Sequence, residues 1–244
     1  NLSARAITLD DKCPNIVIDD KAMEMNLRSE YQDIELKQKV RTCEYDVTGS
    51  KSVVINNKQL KLPPKQINKF IMLGDTGCEA KVFKDGHDYQ DCNDPESWPF
   101  KQVADQVAKQ NPDFIIHMGD YAYRNRYKGE EDALRNKQMQ WFFFQNEFFK
   151  PAKNLLDSAP ILFIRGNHES CPLTGGGWFL FLDPNKFNEE CAQYTKPYQL
   201  QIDDLNFAVF DSSGITSGMD YPKDQLERYK AEFPRGTPIV CACE

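Results

Sequence analysis

Positive charge, histidine and long apolar runs are all scarce in this sequence, and each scarcity closes off a class of protein. Lys and Arg number 30 against 37 Asp and Glu, a formal net charge of -7. Nonspecific nucleic-acid binders draw most of their affinity from clustered Lys and Arg meeting phosphates, so no nucleic-acid partner is expected. No apolar run approaches the roughly 20 residues needed to cross a bilayer, and no basic, apolar leader precedes Asn1. The mature form is therefore expected to be soluble. The first residue is not Met, which suits a removed leader or a trimmed fragment. With no Cys-x-x-Cys pair and only 3 histidines, a zinc-finger arrangement has little to build on.

What the chain does have is enough apolar material for a core. Its 244 residues are 40% hydrophobic and 12% aromatic, which suits one large domain with an appendage. The 8 cysteines fall into sequence neighbours: Cys13 and Cys43, Cys78 and Cys92, Cys171 and Cys191, Cys241 and Cys243. The first three pairs are expected to be disulfides, each closing a loop where the chain-entropy relation gives roughly 3 kcal/mol. Cys241 and Cys243, two apart on an expected strand, point the same way and cannot bridge easily. Disulfides persist mainly in oxidising compartments, so a periplasmic or secreted protein is expected; the alternative is a cytosolic enzyme with reduced core cysteines.

Residues 1–66 differ from the rest. Asn15-Ile16-Val17-Ile18 and Ser52-Val53-Val54-Ile55, the latter followed by the turn signal Asn56-Asn57, predict hairpin strands in a small β-rich N-terminal segment. Leu62-Pro63-Pro64-Lys65 reads as a stiff connector. From residue 67 to 244, short apolar runs end abruptly in polar residues or glycine: Phe70-Ile71-Met72-Leu73, Phe114-Ile115-Ile116, Ile161-Leu162-Phe163-Ile164, Phe207-Ala208-Val209-Phe210 and Ile239-Val240. These fit buried strands. Between them, Phe100, Val103, Ala104, Val107 and Ala108 predict a helix with Ser97 or Asp94 as its cap. A second helix is predicted from near Glu131 to Pro151, its Trp141-Phe142-Phe143-Phe144 and Phe148-Phe149 cluster serving as core. Alternating strands and helices imply an α/β architecture.

Three of the runs lead at once into small polar clusters: Gly74-Asp75-Thr76-Gly77, Gly119-Asp120-Tyr121-Ala122-Tyr123-Arg124 and Arg165-Gly166-Asn167-His168-Glu169. In α/β folds ligands bind outside the carboxyl ends of the strands, so the placement points to a site. In this order, the clusters resemble the calcineurin-like metallophosphoesterase superfamily, from about Lys69 to at least Asp211. The resemblance implies that fold, and a two-metal hydrolase that cleaves phosphomonoesters by attack of a metal-bound water. It places Asp75 on one metal, Asp120 between both, Asn167 on the other, and His168 on the phosphate or leaving group. Metal charge would also offset the acidic surroundings of a phosphate substrate.

Two departures refine the resemblance. Most of the superfamily has Asp-x-His in the first cluster, whereas here Gly77 stands where the His would be. Purple acid phosphatases share the Asp-x-Gly and replace the lost imidazole with a Tyr three residues after the bridging Asp; Tyr123 has that offset from Asp120. A phenolate ligand favours Fe(III), so two metal ions, Fe with Fe, Zn or Mn, are the implied cofactors; the alternative makes Tyr123 an aromatic wall of the cleft. The second and third clusters also resemble the Ser/Thr protein phosphatases, where Arg124 matches a phosphate-binding Arg; the alternative is a surface salt bridge.

His117 reads as a hydrogen-bonded core histidine, His87 as part of a solvated loop, and Asp211 as either lining the site or capping a turn. Gly175-Gly176-Gly177-Trp178 reads as a flexible rim with Trp178 packed underneath. The expected substrate is a phosphorylated small molecule or a phosphoprotein. Alternatives to a phosphomonoesterase are a phosphoprotein phosphatase and a catalytically silent binding protein. The superfamily has further histidines after the Asn-His cluster, but none follows His168, so the C-terminal part of the domain is expected to be missing.

Overall fold

Alternation of buried and exposed residues organises the first part of the chain. The computed structural model describes residues 1–79, 90–123, 140–202, 205–211, 213, 223–233 and 240–242. Strands β1 (Ser3–Thr8), β4 (Asn26–Asp33) and β5 (Gln38–Asp46) form an antiparallel sheet in the order β1-β5-β4. A second sheet has the order β3-β2-β6-β7, from β2 (Asn15–Ile18), β3 (Lys21–Glu24), β6 (Val53–Ile55) and β7 (Lys58–Gln59). Ile16, Ile18, Val53 and Ile55 turn inward onto Ala4, Met25 and Cys43, and the Cys13–Cys43 disulfide staples this small core. Asn56 and Asn57 connect β6 to β7 with φ of 49° and 62°, the left-handed pair that a tight hairpin requires and Asn tolerates.

After a stretch without regular structure at 61–69 the strands become parallel. β8 (Phe70–Leu73), β9 (Phe114–His117) and β10 (Ile161–Phe163) form a sheet in the order β10-β9-β8. All four residues of β9 are buried, because the strand is covered on both faces. Phe114 and Ile116 face Leu162, Ile164, Phe207 and Val209, while Ile115 faces the aromatic helices. Phe207 and Val209 belong to β12 (Leu205–Val209), which pairs antiparallel with β11 (Tyr198–Ile202) and parallel with β13 (Val240–Ala242).

The helical layer comprises Phe100–Lys109, Gln140–Phe144 widening into a π turn at Gln145–Phe149, and Lys153–Ser158. Trp141, Phe144 and Phe148 are buried here with Trp178 and Phe181, as the sequence predicts for the aromatic cluster, whereas Phe142 of that cluster is exposed. The predicted start of this helix, near Glu131, lies outside the described residues. Val40, Ile7 and Tyr31 of the N-terminal sheet join the same core. Arg5 and Arg28 add hydrogen bonds to the carbonyls of Phe179, Phe181 and Asp183. No helix among the described residues is long and apolar enough to cross a membrane.

Two local expectations are corrected. The Phe100–Lys109 helix begins at Pro99 with no side-chain cap; Ser97 instead accepts the Asp91 N–H, and Asp94 the Glu96 N–H. Proline suits a helix start because it brings a preset φ and no N–H to satisfy. The glycine run is no flexible rim: Gly175–Gly177 is a helical turn continuing into a π turn at Trp178–Leu182. A Cβ at Gly177 would lie 2.2 Å from the Phe144 ring, so glycine is there for close packing of two helical segments.

Candidate metal centre

Because β8, β9 and β10 run parallel, the three polar clusters that follow them leave the sheet at one edge. Asp75 and Asp120 both take left-handed backbone, with φ of 53° and 57°, a conformation Asp tolerates better than most residues. The loops are tied together through their backbones. The Asp75 N–H donates to the Gly119 carbonyl at 3.1 Å, and the N–H groups of Thr76 and Gly77 both donate to the Asp120 carbonyl at 3.0 Å. In the third loop, the His168 N–H donates to Asp120 Oδ1 at 2.9 Å. The Asp120 carboxylate is nearly buried, at 3% exposure, whereas Asp75 and Asn167 are open to solvent.

Tyr123 lies between the carboxylates. Its Oη is 2.8 Å from Asp75 Oδ1 and 3.0 Å from Asp120 Oδ2. A phenol has one proton, so only one of these contacts is an ordinary hydrogen bond. The other brings lone pair against lone pair, a crowding that a cation among the oxygens would relieve. Burial, then the Asp120 charge and the Asp75 hydrogen bond, push the phenol's pKa far up in the absence of such a cation. The sequence pairing of Gly77 with Tyr123 has a steric basis: a Cβ at Gly77 would lie 2.1 Å from Tyr123 Cδ2. A side chain at 77 and the aromatic ring at 123 therefore exclude each other.

The His168 ring packs on Tyr123 with centroids 4.1 Å apart, and its Nε2 is 3.8 Å from Asp120 Oδ2. This edge thus offers two carboxylates, a phenol and an amide from Asp75, Asp120, Tyr123 and Asn167, a hard oxygen donor set that fits Fe, Mn or Mg. Among the described residues no group of three His, Cys, Asp or Glu side chains is placed to hold a metal. Arg124 and His87 lie outside the described residues.

Three supporting groups were not singled out in the sequence. The Glu169 carboxylate accepts the N–H groups of Asp120, Tyr121 and Gly166 at 2.8, 2.9 and 3.2 Å. Glu147 Oε2 accepts the N–H groups of Cys78 and Tyr123 at 3.0 and 2.8 Å. Arg165, 2% exposed, donates to the Glu169 and Ala192 carbonyls and to Asp211. Glu169 had a signal in its place within Gly-Asn-His-Glu, and Glu147 in being the lone charge of an aromatic stretch. Asp211 takes the turn-capping role, accepting from Thr195 and Ser213 while pairing with Arg165. His117 is fully buried against Thr76 Oγ1 at 2.9 Å, as expected of a core histidine. All three expected disulfides are present, and two of them flank the site loops, at Cys78–Cys92 and Cys171–Cys191.

No curated protein sequence matches the chain. Among solved structures it is similar to the purple acid phosphatase PPD1 isolated from yellow lupin (Lupinus luteus) seeds, with a TM-score of 0.50 and 11% identity. The likeness covers 96% of this chain and 46% of that one, so the chain spans less than half the length of this relative. At such identity the likeness concerns the fold. The sequence profile of the calcineurin-like phosphoesterases matches residues 62–234, the stretch that contains all three polar clusters. The chain belongs to the calcineurin-like phosphoesterase family.

Proposed function

We propose that Asp75, Asp120, Tyr123 and Asn167 of this chain are ligands of a two-metal phosphomonoesterase centre of the purple acid phosphatase type. The observation that carries the reading is the Tyr123 hydroxyl shared between Asp75 and Asp120, with Gly77 clearing the space for its ring. Asp75 and Tyr123 would hold an iron, Asn167 the second ion, Fe, Zn or Mn, and Asp120 would touch both. Bound cations would supply Lewis-acid polarisation of the phosphoryl group and lower the pKa of a water nucleophile.

The remaining chemistry belongs to the side chains. Asp120 is oriented before any substrate arrives, because its Oδ1 is occupied by the His168 N–H and its own N–H by Glu169. His168 sits with its Nε2 toward this carboxylate, at 3.8 Å. In its protonated form it would contact the phosphate and give its proton to the leaving alkoxide. The disulfides at both site loops support an exported enzyme.

In protein loaded with iron, a phenolate on Fe(III) gives a visible charge-transfer band that disappears in Tyr123→Phe, accompanied by hydrolysis of an aryl phosphate. A colourless, iron-loaded, active enzyme would place Tyr123 in the cleft wall instead. Arg124, which stands where the resembled Ser/Thr protein phosphatases have a phosphate-binding Arg, favours phosphoprotein as a second substrate class. Faster turnover on a phosphopeptide panel than on aryl phosphate would select it.

A further inference from the structure

Glu147 is the only charged residue in the stretch Gln140 to Phe149, and it is fully buried. Burying a carboxylate is costly unless donors satisfy it. Its position is set by the π turn Gln145–Phe149, a helical irregularity frequent at functional sites. One oxygen, Oε2, takes two backbone N–H groups, from Cys78 at 3.0 Å and Tyr123 at 2.8 Å. These amides come from different loops. Cys78 follows Gly77 on the loop of Asp75, whereas Tyr123 ends the described part of the loop of Asp120. The same two loops meet again where the Tyr123 ring lies against Gly77. The separation of the loops is thus fixed on the helix side by Glu147, and on the open side the phenol reaches both aspartates.

We propose that Glu147 is a positioning residue for the Tyr123 phenol, holding the Asp75 and Asp120 loops at the spacing that lets one hydroxyl reach both carboxylates. This rests on the reading of Tyr123 as a metal ligand given above. A neutral amide oxygen accepts more weakly than a carboxylate, by about a factor of two in energy, so Glu147→Gln keeps the shape and loosens the clamp. Glu147→Leu removes it.

The test uses the whole chain and two readouts. Without added metal, amide hydrogen exchange resolved at Cys78 and Tyr123 should be at least about fivefold faster in Glu147→Gln, with Ile116 in β9 unchanged. In protein loaded with Fe(III), the visible band should shift in Glu147→Gln at an unaltered thermal midpoint. If Glu147→Leu does not fold, the Gln variant decides alone. Wild-type exchange rates at both amides in Glu147→Gln would overturn the proposal. Faster amides with an unshifted band would reduce Glu147 to a structural tie and overturn it equally. These failures are distinct from failure of the ligand reading, which shows as a wild-type band that persists in Tyr123→Phe or never forms. In that case the phenol has no metal to be positioned for, and the proposal falls with it.

Discussion

The two halves of the molecule use strand ends in opposite ways. In the N-terminal sheets the strands are antiparallel, and short turns consume their ends: Asn56 and Asn57 between β6 and β7, Asp19 and Asp20 between β2 and β3, all with positive φ. In the β8-β9-β10 sheet the strands are parallel, so each chain must cross back before the next strand can begin. Three C-terminal ends are thereby left at one edge with loops that need not close on their neighbours. One architecture uses its turns for folding; the other leaves its loops open at one edge, where the chemistry is proposed.

Substitutions can separate these two uses. His168→Ala should lower turnover by about 10²–10⁴-fold, the usual contribution of general acid catalysis, while metal content falls far less. Asp120→Asn should instead lose metal and activity together. Full activity of His168→Ala on a substrate with a poor leaving group would remove His168 from the reaction.

The reverse pattern is expected in the other half. Cys13→Ser with Cys43→Ser opens a bridge spanning 30 residues, which the chain-entropy relation values at about 3–4 kcal/mol. Denaturant titration should show that loss with metal affinity unchanged. A drop in metal affinity without a drop in stability would mean that the two halves are not separable in this way.

A smaller effect is expected at His117, which ends β9 and contacts Thr76 of the Asp75 loop. Burial lowers its pKa from 6.5 to about 3. Between those values the unfolded chain binds the proton and the folded chain does not. Its contribution to stability is therefore complete above pH 6.5 and is lost as the pH falls toward 3, with a slope of up to about 1.4 kcal/mol per pH unit. Comparing urea midpoints of the wild type and His117→Gln at pH 7 and 4.5 should show a smaller acid loss in the variant.

The parts of this structure that were legible in the sequence are those set by local pattern. Phe70-Ile71-Met72-Leu73 and Phe114-Ile115-Ile116 announce strands because a short apolar run between turn signals has few other uses, but Phe70 and Met72 are exposed where burial is expected. The Asp75, Asp120 and Asn167-His168 clusters announce loops that meet at one sheet edge because each follows such a run. The disulfide partners were legible from sequence proximity, since each bridge closes a loop of 14 to 30 residues. What escaped was decided by distant contacts. Glu147 meets Cys78 across 69 positions, and Asp211 meets Arg165 across 46. Gly175–Gly177 is helical despite the poor helix propensity of glycine, and glycine stands at 177 because a larger side chain would strike the Phe144 ring.

If Asp75 and Asp120 hold metal as proposed, their left-handed backbone sets folding and chemistry against each other over evolutionary time. A non-glycine residue held there costs on the order of 1 kcal/mol, a strain that glycine would relieve. A lineage of this fold released from its chemistry should therefore drift toward glycine at both positions and gain stability. One still selected for its reaction should keep aspartate there at the expense of its own robustness.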